Sequence, residues 1–215
     1  MNSGHVEPGG PPLVFPLTDG RLTKFSVSTM DNNVYLLGCA VTGTQVLVDA
    51  AAEPERILAV TGEAGLTAVV TTHRHWDHIR ALPRVVAATS AESLAHPDDA
   101  DEIPVVTRTV SDGDVVRCGR LTLSVIHLRG HTPGGVALHL ADPAGPDRLF
   151  TGDSLFPGGV GKTWGPGDFD TLIGDVEAKL FARFGDDTVV HPGHGDDTTL
   201  GAERPHLAEW RARGW

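Results

Sequence analysis

One short segment limits what this chain can be. Thr71-Thr72-His73-Arg74-His75-Trp76-Asp77-His78 follows directly on the apolar run Ala68-Val69-Val70. That run, bounded by Gly65 and polar residues, reads as a buried strand. Histidines two apart in an extended segment point to one side. A turn into a helix starting near Ile79 then brings Asp77 and His78 toward the same cavity. Four nitrogen or oxygen ligands therefore converge at the end of one strand. Imidazole is the commonest protein ligand to metals. Imidazole and carboxylate without thiolate suit zinc, iron or manganese, and the ligand types do not choose among them.

Three later segments repeat the design. His131 sits in Gly130-His131-Thr132-Pro133-Gly134-Gly135, Asp153 in Phe150-Thr151-Gly152-Asp153-Ser154, and His194 in His191-Pro192-Gly193-His194-Gly195. In each, an apolar strand gives way to an abrupt Gly or Pro turn that carries a ligand-type side chain. Groups on strand ends are held rigidly, as metal geometry requires. Two tempting motifs fail on spacing. Gly158-Gly159-Val160-Gly161-Lys162-Thr163 is no phosphate loop, because the glycine needed five residues before Gly161 is Phe156. Gly152-Asp153-Ser154 lacks the G-x-S-x-G arrangement of a serine nucleophile.

The rest of the chain alternates short apolar strands with a few helices. Strands are expected around Phe25 and Val27, and over 34–37, 46–48, 68–70, 121–126, 136–140 and 149–150. Turns are expected at 42–44 and 142–147, with a hairpin turn at Asp112-Gly113 between Val110 and Val115. Pro54 opens a helix running to about Gly62. A second helix spans 170–184, capped by Asp170 and ended by Gly185, with Leu172, Ile173, Val176, Leu180, Phe181 and Phe184 on one face. A short helix at 204–213 turns Leu207 and Trp210 inward. Strand runs mixed with separated helices imply a layered α/β domain over 13–215, preceded by a flexible tail over 1–12.

Eleven histidines against three lysines fit a metal protein, and the formal charge of −11 offers no electrostatic footprint for nucleic acid or an anionic membrane. No apolar run approaches the roughly 20 residues of a membrane helix. The first twelve residues lack the basic and apolar regions of a signal peptide. Cys39 and Cys118, without C-x-x-C spacing, read as buried free thiols. A cytoplasmic chain with no nucleic-acid or membrane partner is expected.

The motifs T-H-R-H-W-D-H at 72–78, G-H-T-P-G-G at 130–135, T-G-D-S-L-F at 151–156 and P-G-H-G at 192–195 resemble the metallo-β-lactamase superfamily. The closest resemblance is to its glyoxalase II-like (hydroxyacylglutathione hydrolase-like) hydrolases, and Asp31-Asn32-Asn33-Val34-Tyr35-Leu36 and Val46-Leu47-Val48-Asp49 extend it. The resemblance implies a single-domain, four-layer αββα sandwich with a two-metal site at one edge. It implies His73, His75 and His131 on one divalent metal, Asp77, His78 and His194 on a second, and Asp153 bridging both. Zinc is the first expectation, with iron or manganese as alternatives. Asp49 is implied in an outer-shell role, and His191 in a structural one. The implied activity is a thioesterase in which water activated between the metals attacks a small thioester. Asp77 is expected to accept a proton, and Lys162 to contact an anionic part of the substrate. Only 21 residues follow His194, where glyoxalase II enzymes carry a helical region that clasps glutathione, so the thiol part of the substrate stays open. An iron-dependent persulfide dioxygenase using His73, His131 and Asp153, a lactonase or a phosphodiesterase are the alternatives within the superfamily. A non-catalytic metal-binding domain is the alternative outside it.

Overall fold

The computed structural model describes residues 4–214. Its first sheet is formed by β1 (Leu13–Leu17), β2 (Gly20–Val27), β3 (Asn32–Cys39), β4 (Gln45–Val48), β5 (Ala68–Val70), β6 (Glu92–Ala95) and β7 (Arg108–Thr109), each paired with the next. The β1–β4 pairs are antiparallel and the β4–β7 pairs parallel. The second sheet starts with β8 (Val115–Cys118), β9 (Leu121–His127), β10 (Val136–Leu140) and β11 (Arg148–Gly152). After a small hairpin of β12 (Leu155–Phe156) and β13 (Gly159–Val160), β14 (Val189–Pro192) pairs parallel with β11 and β15 (Thr198–Thr199) forms the edge.

Strand periodicity makes the layers. Side chains alternate faces along a strand, so Val46 and Val48 of β4 enter the core between the sheets while Leu47 turns outward. The inter-sheet core also takes Leu37, Val70, Leu94, Leu123, Leu138 and Phe150. Outside the first sheet, α1 (Pro54–Thr61) and α3 (Leu82–Thr89) bury Ile57, Leu82 and Val85 against Phe25, Leu36 and Val69. A single helical turn, α2 (Trp76–Ile79), precedes α3, and another, α4 (Pro97–Ala100), follows β6. Outside the second sheet, α5 (Asp168–Val176) and α7 (Leu207–Arg213) bury Leu172, Ile173, Val176 and Trp210 against Ile126, Leu149 and Val190, with the turn α6 (Leu200–Glu203) leading into α7. Three hydrophobic interfaces separate four layers, the expected αββα sandwich. Both cysteines are buried free thiols. Among the described residues no helix is long and apolar enough to cross a membrane.

Three local expectations are corrected. The helix expected at 170–184 starts at Asp168, is capped by Gly167 with φ 85°, and passes into a π-turn over Glu177–Phe181. Glycine takes that left-handed backbone without steric cost, whereas Asp170 lies inside the first turn and is exposed. The helix expected from Ile79 is split in two, since α2 already begins at Trp76 and α3 opens with Pro83 in its first turn. Asp112-Gly113 is a turn, but it joins no hairpin. β7 and β8 belong to different sheets, and the turn carries the chain between them, held by Gly113 N–H to Val125 O (2.9 Å) and His127 N–H to Asp112 Oδ1 (2.8 Å).

A flexible tail is expected over 1–12. Residues 1–3 lie outside the described residues, and 4–12 form neither helix nor strand yet rest against the domain. Val6 is buried, and Arg56 donates to Gly9 O (3.1 Å) and Gly10 O (2.5 Å).

Candidate metal centre

The strand ends at one edge of the sandwich bring all seven expected residues together. His73, His75, Asp77 and His78 follow β5, His131 lies between β9 and β10, Asp153 follows β11, and His194 follows β14. Their ligand atoms form three overlapping groups, His73/His75/His131, His73/His78/Asp153 and Asp77/His78/His194, each with its atoms within 4.8 Å of one another. Asp153 sits between the first and third. Its Oδ2 lies 3.6 Å from both His131 Nε2 and His194 Nε2, and its Oδ1 lies 3.4 Å from His78 Nε2. His194 Nε2 is 3.3 Å from Asp77 Oδ2 and 3.2 Å from His78 Nε2. Donors bound about 2.0–2.2 Å from one tetrahedral cation sit roughly 3.3 Å apart, so this spacing fits a metal.

The opposite nitrogen of four imidazoles is fixed by a partner, which aims Nε2 inward. His78 Nδ1 meets Asp49 Oδ2 (2.9 Å), His131 Nδ1 meets Lys162 O (2.7 Å), and His194 Nδ1 meets Met30 O (2.8 Å). His73 Nδ1 lies 3.0 Å from Thr72 Oγ1, which donates to Asp49 Oδ2 (2.8 Å). His73 Nε2, His131 Nε2 and Asp153 Oδ1 are buried with no hydrogen-bond partner. A buried polar atom without a partner is costly, and three aimed at one cavity are what a cation would satisfy.

Burial holds His73, His75 and His131 below the usual imidazole range, while at His78 and His194 burial is outweighed by the facing carboxylates, Asp153 and Asp49 at His78 and Asp77 and Asp153 at His194, which raise both. Burial works to raise both Asp77 and Asp153. It is outweighed at Asp77 by the His194 hydrogen bond and the His78 charge, and at Asp153 by the charge of His78, so both stay well below the usual carboxylate range.

Sequence reasoning anticipated Asp49 but missed three supports. Asn32 Nδ2 donates to Asp77 Oδ2 (2.9 Å). The Met30 carbonyl orients His194. Asp99 accepts from Arg74 N–H (3.0 Å), Thr132 Oγ1 (2.7 Å) and Gly134 N–H (2.8 Å), which latches the loop after β5 to the His131 loop. Asp99 lies in Pro97-Asp98-Asp99-Ala100, which reads as a solvated turn; only its partners, distant in sequence, reveal it.

Lys162 is exposed, with its ammonium 4.3 Å from the centre of the Trp164 ring, and Trp164 in turn packs 5.9 Å from His75. A further group, His96/Asp98/His127, stands apart. Its two rings stack 3.8 Å apart at 23°, so their in-plane lone pairs run side by side instead of meeting at a point.

His191 stays out of the cluster. It stacks on Phe150 (5.2 Å, 18°), its Nε2 faces Arg148 Nη1 (3.1 Å), and its Nδ1 lies 3.0 Å from Asp197 Oδ1. Burial lowers its pKa. The unfolded chain takes up a proton below about pH 6.5 that the folded one refuses, so this group lowers stability as pH falls through that range. In His191→Gln, which keeps an acceptor and a donor but does not titrate, the fall in Tm between about pH 7.5 and 5.5 is expected to be shallower than in the wild type.

The comparisons with known proteins follow this geometry. Residues 28–194 match the metallo-beta-lactamase superfamily. The chain is 37% identical over 165 residues to a hydroxyacylglutathione hydrolase of Polaromonas sp. (strain JS666 / ATCC BAA-500), over 74% of this chain and 60% of that protein. It thus spans about 60% of the length of that curated relative. An uncharacterized protein of Mycobacterium leprae, ML0493, is 32% identical over 211 residues, covering 85% of this chain and 95% of its own length. Among solved structures, ETHE1 from Myxococcus xanthus has a TM-score of 0.77 at 30% identity, over 89% of this chain and 84% of that one. TTHA1623, solved in a di-iron-bound form, has a TM-score of 0.71 at 32% identity, over 84% and 96%. With residues 28–194 matched by the family, the chain belongs to the metallo-β-lactamase superfamily.

Proposed function

We propose that the chain is a binuclear metal-dependent hydrolase acting on a small thioester. The observation that carries this reading is the placement of Asp153 between two ligand triads. His73, His75 and His131 would hold one divalent cation, Asp77, His78 and His194 a second, with Asp153 shared. Zinc is the first candidate; iron is tested beside it because TTHA1623 was solved with two irons. Bound there, the two cations would supply Lewis acidity, polarising a carbonyl and acidifying water toward neutral pH.

The chain's own residues orient and move protons. Asn32 fixes the Asp77 carboxylate, which stays anionic and can accept a proton from an attacking water. A thioester suits the site because a thiol, with pKa about 8.5, leaves as thiolate without a strong acid. The similarity to hydroxyacylglutathione hydrolases supports the thioester class.

Lys162, exposed beside Trp164, which itself packs near His75, is placed to meet an anionic group of the substrate. Lys162→Ala is expected to raise KM roughly 3- to 10-fold with little change in kcat, the pattern of a lost ground-state contact.

The test is metal analysis of the purified protein followed by a panel of a hydroxyacylglutathione, a simple acyl thioester and a lactone. Two metal equivalents per chain with thioesters turned over fastest support the reading. One equivalent of iron with oxygen consumption on glutathione persulfide overturns it in favour of the dioxygenase, and a faster lactone moves it to a lactonase.

A further inference from the structure

Away from the metal centre, at the open edge between β1 and β15, lies a groove of 530 Å3 lined by Leu13, Val14, Phe15, Val189 and Ala202, with Arg148 in its wall. The volume is that of a small-ligand site. Arg148 opens β11, and Asp153 lies five residues further on, about 16 Å at roughly 3.3 Å per residue. The groove and the cluster are therefore separate.

Arg148 is only 7% exposed, yet its guanidinium is barely satisfied. Nη1 donates to His191 Nε2 (3.1 Å) and the group lies 5.2 Å from the centre of the Phe15 ring. Nε is buried without a hydrogen-bond partner, and Nη2 makes no hydrogen bond among the described residues. These two nitrogens form the side edge of the guanidinium fork. Elsewhere in this chain the same edge grips a carboxylate with both prongs: Arg129 holds Asp175 (3.0 and 3.1 Å) and Arg211 holds Glu177 (2.8 and 2.6 Å).

The nearby charges balance in number, but among the described residues no carboxylate occupies the Arg148 fork. Lys24, fully buried, takes the Asp197 carboxylate at the groove wall, whose Oδ1 is 2.8 Å from Lys24 Nζ, and Asp142 acts on Arg148 only as a nearby charge. Thr199 Oγ1 accepts from Ala202 N–H (3.2 Å), which leaves its own hydrogen free to donate. One fork and one hydroxyl suit two oxygens, and Asp197 nearby disfavours a dianion.

We propose that this groove binds the carboxylate of a small amphipathic acid, with its two oxygens on the Nε/Nη2 edge of Arg148 and its apolar body along Leu13, Phe15, Val189 and Ala202. Charge-assisted, two-pronged pairing supplies the specificity, and burial of the apolar body supplies further affinity.

Calorimetric titration of octanoate into the metal-loaded protein tests this, with octanol and inorganic phosphate as comparison probes. Saturable 1:1 binding of octanoate is expected, at least about 10-fold tighter than either comparison probe. Arg148→Leu should weaken it by a similar factor, and so should Arg148→Lys, which keeps the charge but loses the fork. Ala202→Glu, at an exposed position, places a competing carboxylate at the groove and should weaken octanoate while leaving hydrolysis unchanged. This variant keeps the test decisive if the Arg148 variants fail to fold. No octanoate binding, equal affinity for octanol or phosphate, or unchanged affinity in Ala202→Glu would each overturn the proposal.

Discussion

Stripping divalent metal with a chelator is expected to cut thioester hydrolysis by at least about 10³-fold, because acidification of water toward pH 7 is lost with the cation. Activity should return on adding back zinc, and the metal giving the highest rate identifies the working ion. The same treatment should lower Tm. A ligand present at about 1,000 times its Kd stabilises the fold by about 4 kcal/mol. In a chain of this size that corresponds to roughly 10 °C. The structure gives the reason for tight binding, and so for a large mass-action term. Without a cation, the unpartnered Nε2 atoms of His73 and His131 and the unpartnered Oδ1 of Asp153 stay buried and unpaid. Full activity and an unchanged Tm after removal of all metal, verified by elemental analysis, would defeat the metal reading of the cluster.

Gly193→Ala is the second large effect expected, and it needs no change of a ligand. A methyl group at this position would meet Asp153 Oδ1 and come within 2.7 Å of His78 Cε1. Neither neighbour can retreat cheaply. His78 is held by Asp49 on its far side, and Asp153 follows Gly152 at the end of β11, where a methyl group on Gly152 would itself reach 2.7 Å from Thr72 Oγ1. The backbone on the other side is pinned as well, by Gly193 N–H to Gly152 O (2.9 Å) and Asn33 N–H to Gly193 O (2.8 Å). The added carbon must therefore displace the carboxylate that joins the two triads. A misplacement of about 1 Å near reacting groups costs on the order of 10²-fold in rate, and forced overpacking costs roughly 1–3 kcal/mol of stability. The measurements are kcat on a thioester, metal content after dialysis, and Tm. Metal content near one equivalent per chain with kcat down about 10²-fold is the expected result; wild-type values in all three would show that the loop yields.

Much of the site was legible because its candidate ligands lie in four short motifs. His73, His75, Asp77 and His78 sit within one turn-forming segment, and His131, Asp153 and His194 each follow a strand that ends at a glycine or proline turn. Such patterns depend on local backbone geometry, which neighbouring residues dictate. The supports were not legible in the same way. Asn32 reaches Asp77 across 45 residues of sequence, the Met30 carbonyl reaches His194 across 164, and Asp99 joins loops that flank it on both sides. Nothing local marks these residues, since an Asn before a strand or an Asp in a polar turn is ordinary.

The same division runs through the fold. Alternation in β4 and the apolar face of α5 announce strands and helices, because each period is a property of a few successive residues. The sequence by itself thus determined the layered class and named the seven side chains that gather at one sheet edge. Tertiary structure alone decided that Asp112-Gly113 carries the chain from one sheet to the other, that residues 4–12 rest against the domain, and that Arg148 faces a groove with half its fork unpaired. Each of those depends on which distant segments share an edge or a core, and that is fixed by the packing of whole sheets, which no window of neighbouring residues encodes.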